Sequence, residues 1–331
     1  MNQLRWDPAL REWVAYATHR QDRTFLPPPE YCPLCPTKPG GFPTEVPRGF
    51  YEIAVFENKF PALSRSASEP HESGTVLAPT AQGRGVCEVV LYSDDHEATL
   101  ARMPEPRIRN LIEVWVDRYR ELGAREEVAY VFIFENKGEA IGVTLHHPHG
   151  QIYGYPFVPP RPEKKLKAAR HHREEHGACL HCDLLAEEHA DGRRILYKGD
   201  YFTTFVPFCA RWPYEAHIYA RRCVPSMADL TGDEKEDLAR AFKRLLSGYE
   251  ALFGFSLPYI MSMYQAPTDG GEYARVAHFH IEFCPPNRTA EKLKYLAGSE
   301  VGAGAFIVDA LPETTAATLR EAMDRATTGS T

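Results

Sequence analysis

The chain has 331 residues, 44% of them hydrophobic and 25% charged, with a formal net charge of −7. These proportions match a soluble globular protein with room for two ordinary domains or one duplicated fold, and argue against a disordered or membrane-embedded chain. Net acidity also argues against a surface that coats nucleic acid, so an anionic ligand should be small and held by a few placed cations.

Read in chain order, the opening stretch "MNQLRWDPALREWVAY" has no apolar segment behind a basic start, so a cytoplasmic location is expected, and no stretch of bilayer length follows. In that compartment the eight cysteines are expected as metal ligands or buried small hydrophobes rather than disulfides. "CPLC" places Cys32 and Cys35 at a spacing that aims two thiolates at one tetrahedral ion and leaves two ligands to be found downstream. In "LYSDDHEATL" an apolar strand-like run ends at His96. Residues 104–123 then carry apolar side chains at helical spacing and end at a glycine suited to a C-cap. A β-rich strand, "VAYVFIFEN", leads to "HHPHG", where His147 completes the first site.

A charged stretch, "RPEKKLKAARHHREEHG" (161–177), suits an exposed connection, and beyond it the layout repeats. "CLHC" supplies Cys179 and Cys182, "AHIYARRC" ends at Cys223, residues 231–254 read as a second amphipathic helix, "LPYIMSMYQ" as a strand, and "VAHFHIEF" supplies His278. The interval from Cys223 to His278 is close to that from His96 to His147. Alternation puts His278 and His280 on one strand face, and His217 and His280 compete as ligands for the second site. The expectation is a duplicated α+β fold, with halves at 1–165 and 175–331 and two structural zinc ions per chain.

In "HHPHGQ" Pro148 imposes an extended backbone, so His147 and His149 should point the same way, and His149 is left over for chemistry. A neutral imidazole attacks phosphorus well if its remote nitrogen holds a proton against an acceptor such as a main-chain carbonyl. Gly150 would let a phosphoryl group approach the backbone, and the Gln151 amide could donate to charge developing on a non-bridging oxygen.

"HPHGQ", with "FENKG" just before it and "SDDHEATL" and a C-x-x-C pair upstream, resembles the galactose-1-phosphate uridylyltransferase family, a branch of the histidine triad superfamily. The resemblance implies antiparallel sheets flanked by helices, a homodimer and a ping-pong reaction. A histidine matching His149 would take the uridylyl group from UDP-glucose and pass it to galactose 1-phosphate. It implies phosphate contacts from Arg20 and Arg23 in "HRQDR", nucleotide and phosphate contacts from Asn58 and Asn136, and sugar contacts from Lys294 and Glu300 in "KYLAGSE", a segment that commonly crosses the dimer interface. No nucleic acid or membrane partner is implied.

The chain departs from the best-known members in places. Their second metal site uses a glutamate, a histidine ahead of the H-x-H strand, and both histidines of that strand; here Gln265 stands where the preceding histidine would, and the glutamate has no clear match. The pair at 179 and 182 resembles a sub-branch that binds zinc there, with a histidine usual where this chain has Cys223. Phe306 stands where many members have a hexose-contacting glutamine. The same sub-branch includes nucleotide-sugar phosphorylases, so a nucleotide-sugar (ADP-glucose-like) or dinucleoside-polyphosphate phosphorylase or hydrolase using the same histidine is the alternative. A zinc-stapled nucleic-acid module is a third reading, which leaves "HPHGQ" unexplained.

Overall fold

In the computed structural model, residues 2–22, 27 and 31–328 are described. The strands and helices in chain order are β1 (Asn2–Asp7), β2 (Glu12–Ala17), β3 (Ala54–Glu57), β4 (Thr80–Gln82), β5 (Val86–Leu91), α1 (Glu105–Gly123), β6 (Tyr130–Lys137), β7 (His149–Tyr155), α2 (Pro160–His176), α3 (Leu180–Asp191) and β8 (Ile195–Lys198). They continue with β9 (Phe202–Phe205), β10 (Ala216–Ala220), α4 (Gly232–Phe253), β11 (Tyr259–Tyr264), β12 (His280–Cys284), α5 (Gly298–Gly302) and α6 (Pro312–Thr328). Among the described residues no helix is long and apolar enough to cross a membrane.

A single nine-stranded antiparallel sheet runs in the order β3-β5-β7-β6-β11-β12-β10-β9-β8. The duplication is visible in this order, because β5-β7-β6 on one side is matched by β10-β12-β11 on the other. The two sets meet where β6 pairs with β11, with Phe134 opposite Ser262 and Lys137 opposite Tyr259. A small sheet, β2-β1-β4, is not hydrogen-bonded to it but packs Leu4 of β1 against Cys87 of β5 and Tyr153 of β7.

Helix α1 buries Ile108, Leu111, Ile112, Trp115, Tyr119 and Leu122, the spacing of one helical stripe. Helix α4 starts at a capping box, with the Thr231 hydroxyl accepting from the Glu234 amide and the Glu234 carboxylate accepting from the Thr231 amide. These stripes, together with Leu319 and Met323 of α6, pack on one face of the sheet against alternate strand residues such as Val86, Val90, Ile133, Ile152, Ile281 and Phe283. The expected glycine caps divide. Gly254 takes the left-handed conformation at φ 77°, whereas Gly123 stays inside the helix, where a Cβ would come within 2.6 Å of the Thr268 side chain. Packing, not capping, calls for glycine there.

The charged connection is not an extended linker. It folds as α2 with α3 beside it, and the two cover the second sheet face of the C-terminal half, where Leu185 meets Phe205 and Tyr219. In the N-terminal half the same face packs instead on Leu4 of β1 and Leu63 at Cys87 and Tyr153, and on Cys32, Leu34 and Tyr51 at Val89 and Leu91.

Candidate active site

On that face β7 presents His149, Gln151 and Tyr153, every second residue, while Gly150 and Ile152 face the helices. Leu91 of β5 is opposite His149, and both Val89 of β5 and Phe134 of β6 are opposite Gln151, so the histidine is carried on a strand paired on both sides. Its Nδ1–H donates to the carbonyl oxygen of His147 at 2.7 Å. This bond selects the tautomer whose Nε2 carries the lone pair, as a nucleophile toward phosphorus requires.

His149 stands between two cavities. One, of about 420 Å³, is lined by Tyr31, Phe56, Asn58, Phe60, Val89 and Gln151. The other, of about 610 Å³, includes Arg102, Asn136 and Lys137 in its lining. Aromatic walls suit a flat base, and cationic and amide groups suit a phosphorylated sugar.

Gly150 has a different role from the one expected. A Cβ there would overlap the Tyr92 hydroxyl on the core side of β7, so the space the glycine leaves belongs to Tyr92. That hydroxyl, with Tyr259, donates to the Glu135 carboxylate at 3.4 and 3.1 Å. Burial is the largest influence on Glu135 and, against Lys137 and the two tyrosines, raises its pKa to about 7.

Of the other expected residues, Arg20 donates to the Phe60 carbonyl and to the Tyr153 hydroxyl, both at 3.4 Å. Asn58 donates to the Gln151 side-chain oxygen at 3.4 Å, and Asn136 lines the second cavity. Arg23 lies outside the described residues. Lys294 and Glu300 line neither cavity. They pair with each other at 3.2 Å within the C-terminal segment, and the Lys294 ammonium also donates to the Ile307 carbonyl. Phe306 lies against the Arg211 guanidinium at 5.3 Å.

Two clusters bring together the expected ligand sets, Cys32, Cys35, His96 and His147 in one half and Cys179, Cys182, Cys223 and His278 in the other. Each could hold a metal ion. The Cys35 sulfur is 3.3 Å from His96 Nδ1 and 3.5 Å from His147 Nδ1, and the Cys179 sulfur is 3.5 Å from His278 Nδ1. Two ligand atoms about 2.0–2.3 Å from one tetrahedral ion are separated by about that much. In both clusters the remote nitrogen is fixed by a main-chain carbonyl, His147 Nε2–H donating to Ser93 at 2.7 Å and His278 Nε2–H to Ala220 at 2.9 Å. That leaves each Nδ1 lone pair turned toward the cysteines. Burial and the neighbouring Cys32 raise the Cys35 thiol to about 12, so ionising both thiols of the pair calls for a cation.

The competing ligands fall elsewhere. His217 Nε2 pairs with Glu215 at 2.8 Å, and His280 Nε2 accepts from the Lys165 ammonium at 2.8 Å. His280 is the counterpart of His149, since its Nδ1–H donates to the carbonyl of His278 at 2.7 Å, but it is 2% exposed and covered by α2. Glu282, at the position matching Gln151, is buried, and although burial opposes it, Lys165, His217 and Arg161 hold its pKa down to about 2. The second metal site of the best-known family members is therefore not built: Gln265 spends its amide on the main chain of Met227 and Val131, and Lys165 takes the space beside His280. Lys165 escaped sequence reasoning because a lysine in a charged helix reads as a solvated residue. A helix laid against a buried carboxylate is visible only in the fold.

Residues 1–159 match the model of the galactose-1-phosphate uridyl transferase N-terminal domain, and residues 165–328 that of its C-terminal domain. A galactose-1-phosphate uridylyltransferase of Thermotoga maritima is 40% identical over 97% of this chain and 98% of its own length. One from Rattus norvegicus is 33% identical over 96% and 86%. The solved structure of a uridylyltransferase superposes with a TM-score of 0.86 at 33% identity, covering 98% of this chain and 99% of the other.

Proposed function

Since the chain belongs to the galactose-1-phosphate uridylyltransferase family, we propose that it transfers the uridylyl group of UDP-glucose to galactose 1-phosphate through a covalent intermediate on His149. The observation that carries this reading is the placement of His149 between the two cavities with Nδ1–H held on the His147 carbonyl. Nε2 attacks the α-phosphorus of UDP-glucose. An N–P bond forms as the P–O bond to glucose 1-phosphate breaks, and the electron pair leaves on that phosphate oxygen. A phosphate oxygen of galactose 1-phosphate then attacks the same phosphorus from the side the leaving group vacated. The N–P bond breaks, UDP-galactose departs and the imidazole is restored. The His147 carbonyl stabilises the positive ring that bond formation would create. Gln151 donates to a non-bridging oxygen, Arg20 lies beside the phosphate path, and Asn58 and Asn136 serve the two substrates.

The two Cys/His clusters fit zinc by donor type and spacing, and each supplies four protein ligands, as structural sites do. The first would anchor His147 next to the nucleophile. We assign the protein to the cytoplasm, where reducing conditions keep its free cysteines available as ligands. Exposed Tyr295, Val301, Ile307 and Leu311 around the Lys294–Glu300 pair support a homodimer in which this segment meets a second copy.

The test is incubation with UDP-glucose labelled at the α-phosphate, without acceptor. The protein should carry label that is acid-labile and base-stable, His149→Ala should carry none, and galactose 1-phosphate should discharge it as UDP-galactose. Labelling by ADP-glucose but not UDP-glucose would overturn the reading.

A further inference from the structure

A glutamine amide is symmetric in shape and opposite in polarity at its two ends, so a Gln151 that serves the phosphoryl group must be told which end to present. Nothing in the side chain's own preference decides this, and the wrong end would aim an oxygen at developing negative charge.

The surrounding hydrogen bonds have a forced direction. A guanidinium only donates, so at the 3.4 Å contact between Arg20 Nη1 and Tyr153 Oη the hydroxyl is the acceptor. Its single hydrogen is then directed onward to the Gln151 Oε1, also at 3.4 Å. On the other side the Phe60 amide donates to Asn58 Oδ1 at 2.9 Å, which turns the Asn58 Nδ2 toward the same Gln151 oxygen at 3.4 Å. Two donors converge on one end of the amide. The Cys87 thiol also lies beside the Tyr153 hydroxyl, but burial raises its pKa to about 11, so it is a neutral sulfur and a weaker acceptor than an amide oxygen.

We propose that Tyr153 is a positioning residue for uridylyl transfer: with Asn58 it pins the Gln151 carbonyl and so turns the amide N–H group toward the transferring phosphoryl group. The assignment rests on the function proposed above. Tyr153 does not itself touch the substrate in this scheme. Its ring is held by Phe134 at 5.0 Å and is buried, so removing the hydroxyl alone leaves the packing in place.

The experiment is a double-mutant cycle on the rate of protein labelling from α-labelled UDP-glucose. Tyr153→Phe should lower the labelling rate at saturating donor about tenfold, the scale of a misoriented donor, and change half-saturation less than about threefold. In a Gln151→Ala background the same change should be nearly silent, and thermal unfolding should stay near that of the parent. Equal rates for Tyr153→Phe and the parent would overturn the assignment, and so would the same tenfold loss in both backgrounds, which would mean that Tyr153 acts without Gln151. Parent enzyme that never labels would instead bring down the functional reading, so the two fail by different measurements.

Discussion

The Lys165 ammonium lies 2.8 Å from His280 Nε2, while His280 holds its other ring nitrogen to the His278 carbonyl just as His149 holds its own to that of His147. The duplicated half therefore repeats the geometry of the nucleophile and closes it. Lys165 also reaches Glu282 at 2.5 Å, and Arg161 reaches the same carboxylate at 2.8 Å.

Lys165→Met should leave Glu282 short of one of its cations in a buried setting, with a cost of about 2–3 kcal/mol moderated by the remaining Arg161. Urea unfolding measures this. Labelling of His149 per folded molecule should be unchanged, because the affected network lies in the other half. A midpoint equal to that of the parent would show that the ammonium is dispensable.

Glu135 predicts a pH dependence. Its folded pKa of about 7 stands above the ordinary value of 4.5, so the native state keeps a proton that the unfolded chain gives up. The stability this contributes is complete below about pH 4.5 and is lost as pH rises through about 7, on the order of 3 kcal/mol in all. Glu135→Gln keeps an acceptor for Tyr92 and Tyr259 and cannot ionise. The difference in unfolding free energy between the two proteins should therefore shift in favour of the variant from pH 5 to pH 8.

Gly150→Ala should overpack the core side of β7, where the Cβ meets the Tyr92 hydroxyl, at a cost of about 1–3 kcal/mol and with slower labelling as His149 shifts. Adding Tyr92→Phe removes the atom that is struck. The double variant should regain part of both losses, and a thermal melt with a labelling time course reads them together.

Purified protein should contain close to two zinc ions per chain. Cys35→Ser should lower this toward one and reduce labelling with it, because His147 is both a ligand of that cluster and the acceptor for His149. Cys223→Ser should lower the zinc content and the melting temperature while sparing the labelling rate, since its cluster lies in the other half. Metal analysis alongside kinetics separates the two sites.

The amino-acid order by itself determined the pieces whose signal is local. The ligand pairs are spaced for one ion, α1 and α4 carry apolar residues on one helical stripe, and Pro148 forces the extended geometry that lets His149 bond to the carbonyl two residues back. Each depends on neighbours within a few residues, so the periodicity of the chain reports it. What only the tertiary structure decided depends on which strands and helices become adjacent. The fusion of both halves into one sheet through β6 and β11 and the folding of the charged connection into a helix that covers His280 are of this kind. So are the filling of the space at Gly150 by Tyr92 and the self-pairing of Lys294 with Glu300 away from both cavities. A side chain's partner across a sheet is set by long-range packing, and packing energy belongs to pairs of surfaces that no single stretch of sequence contains.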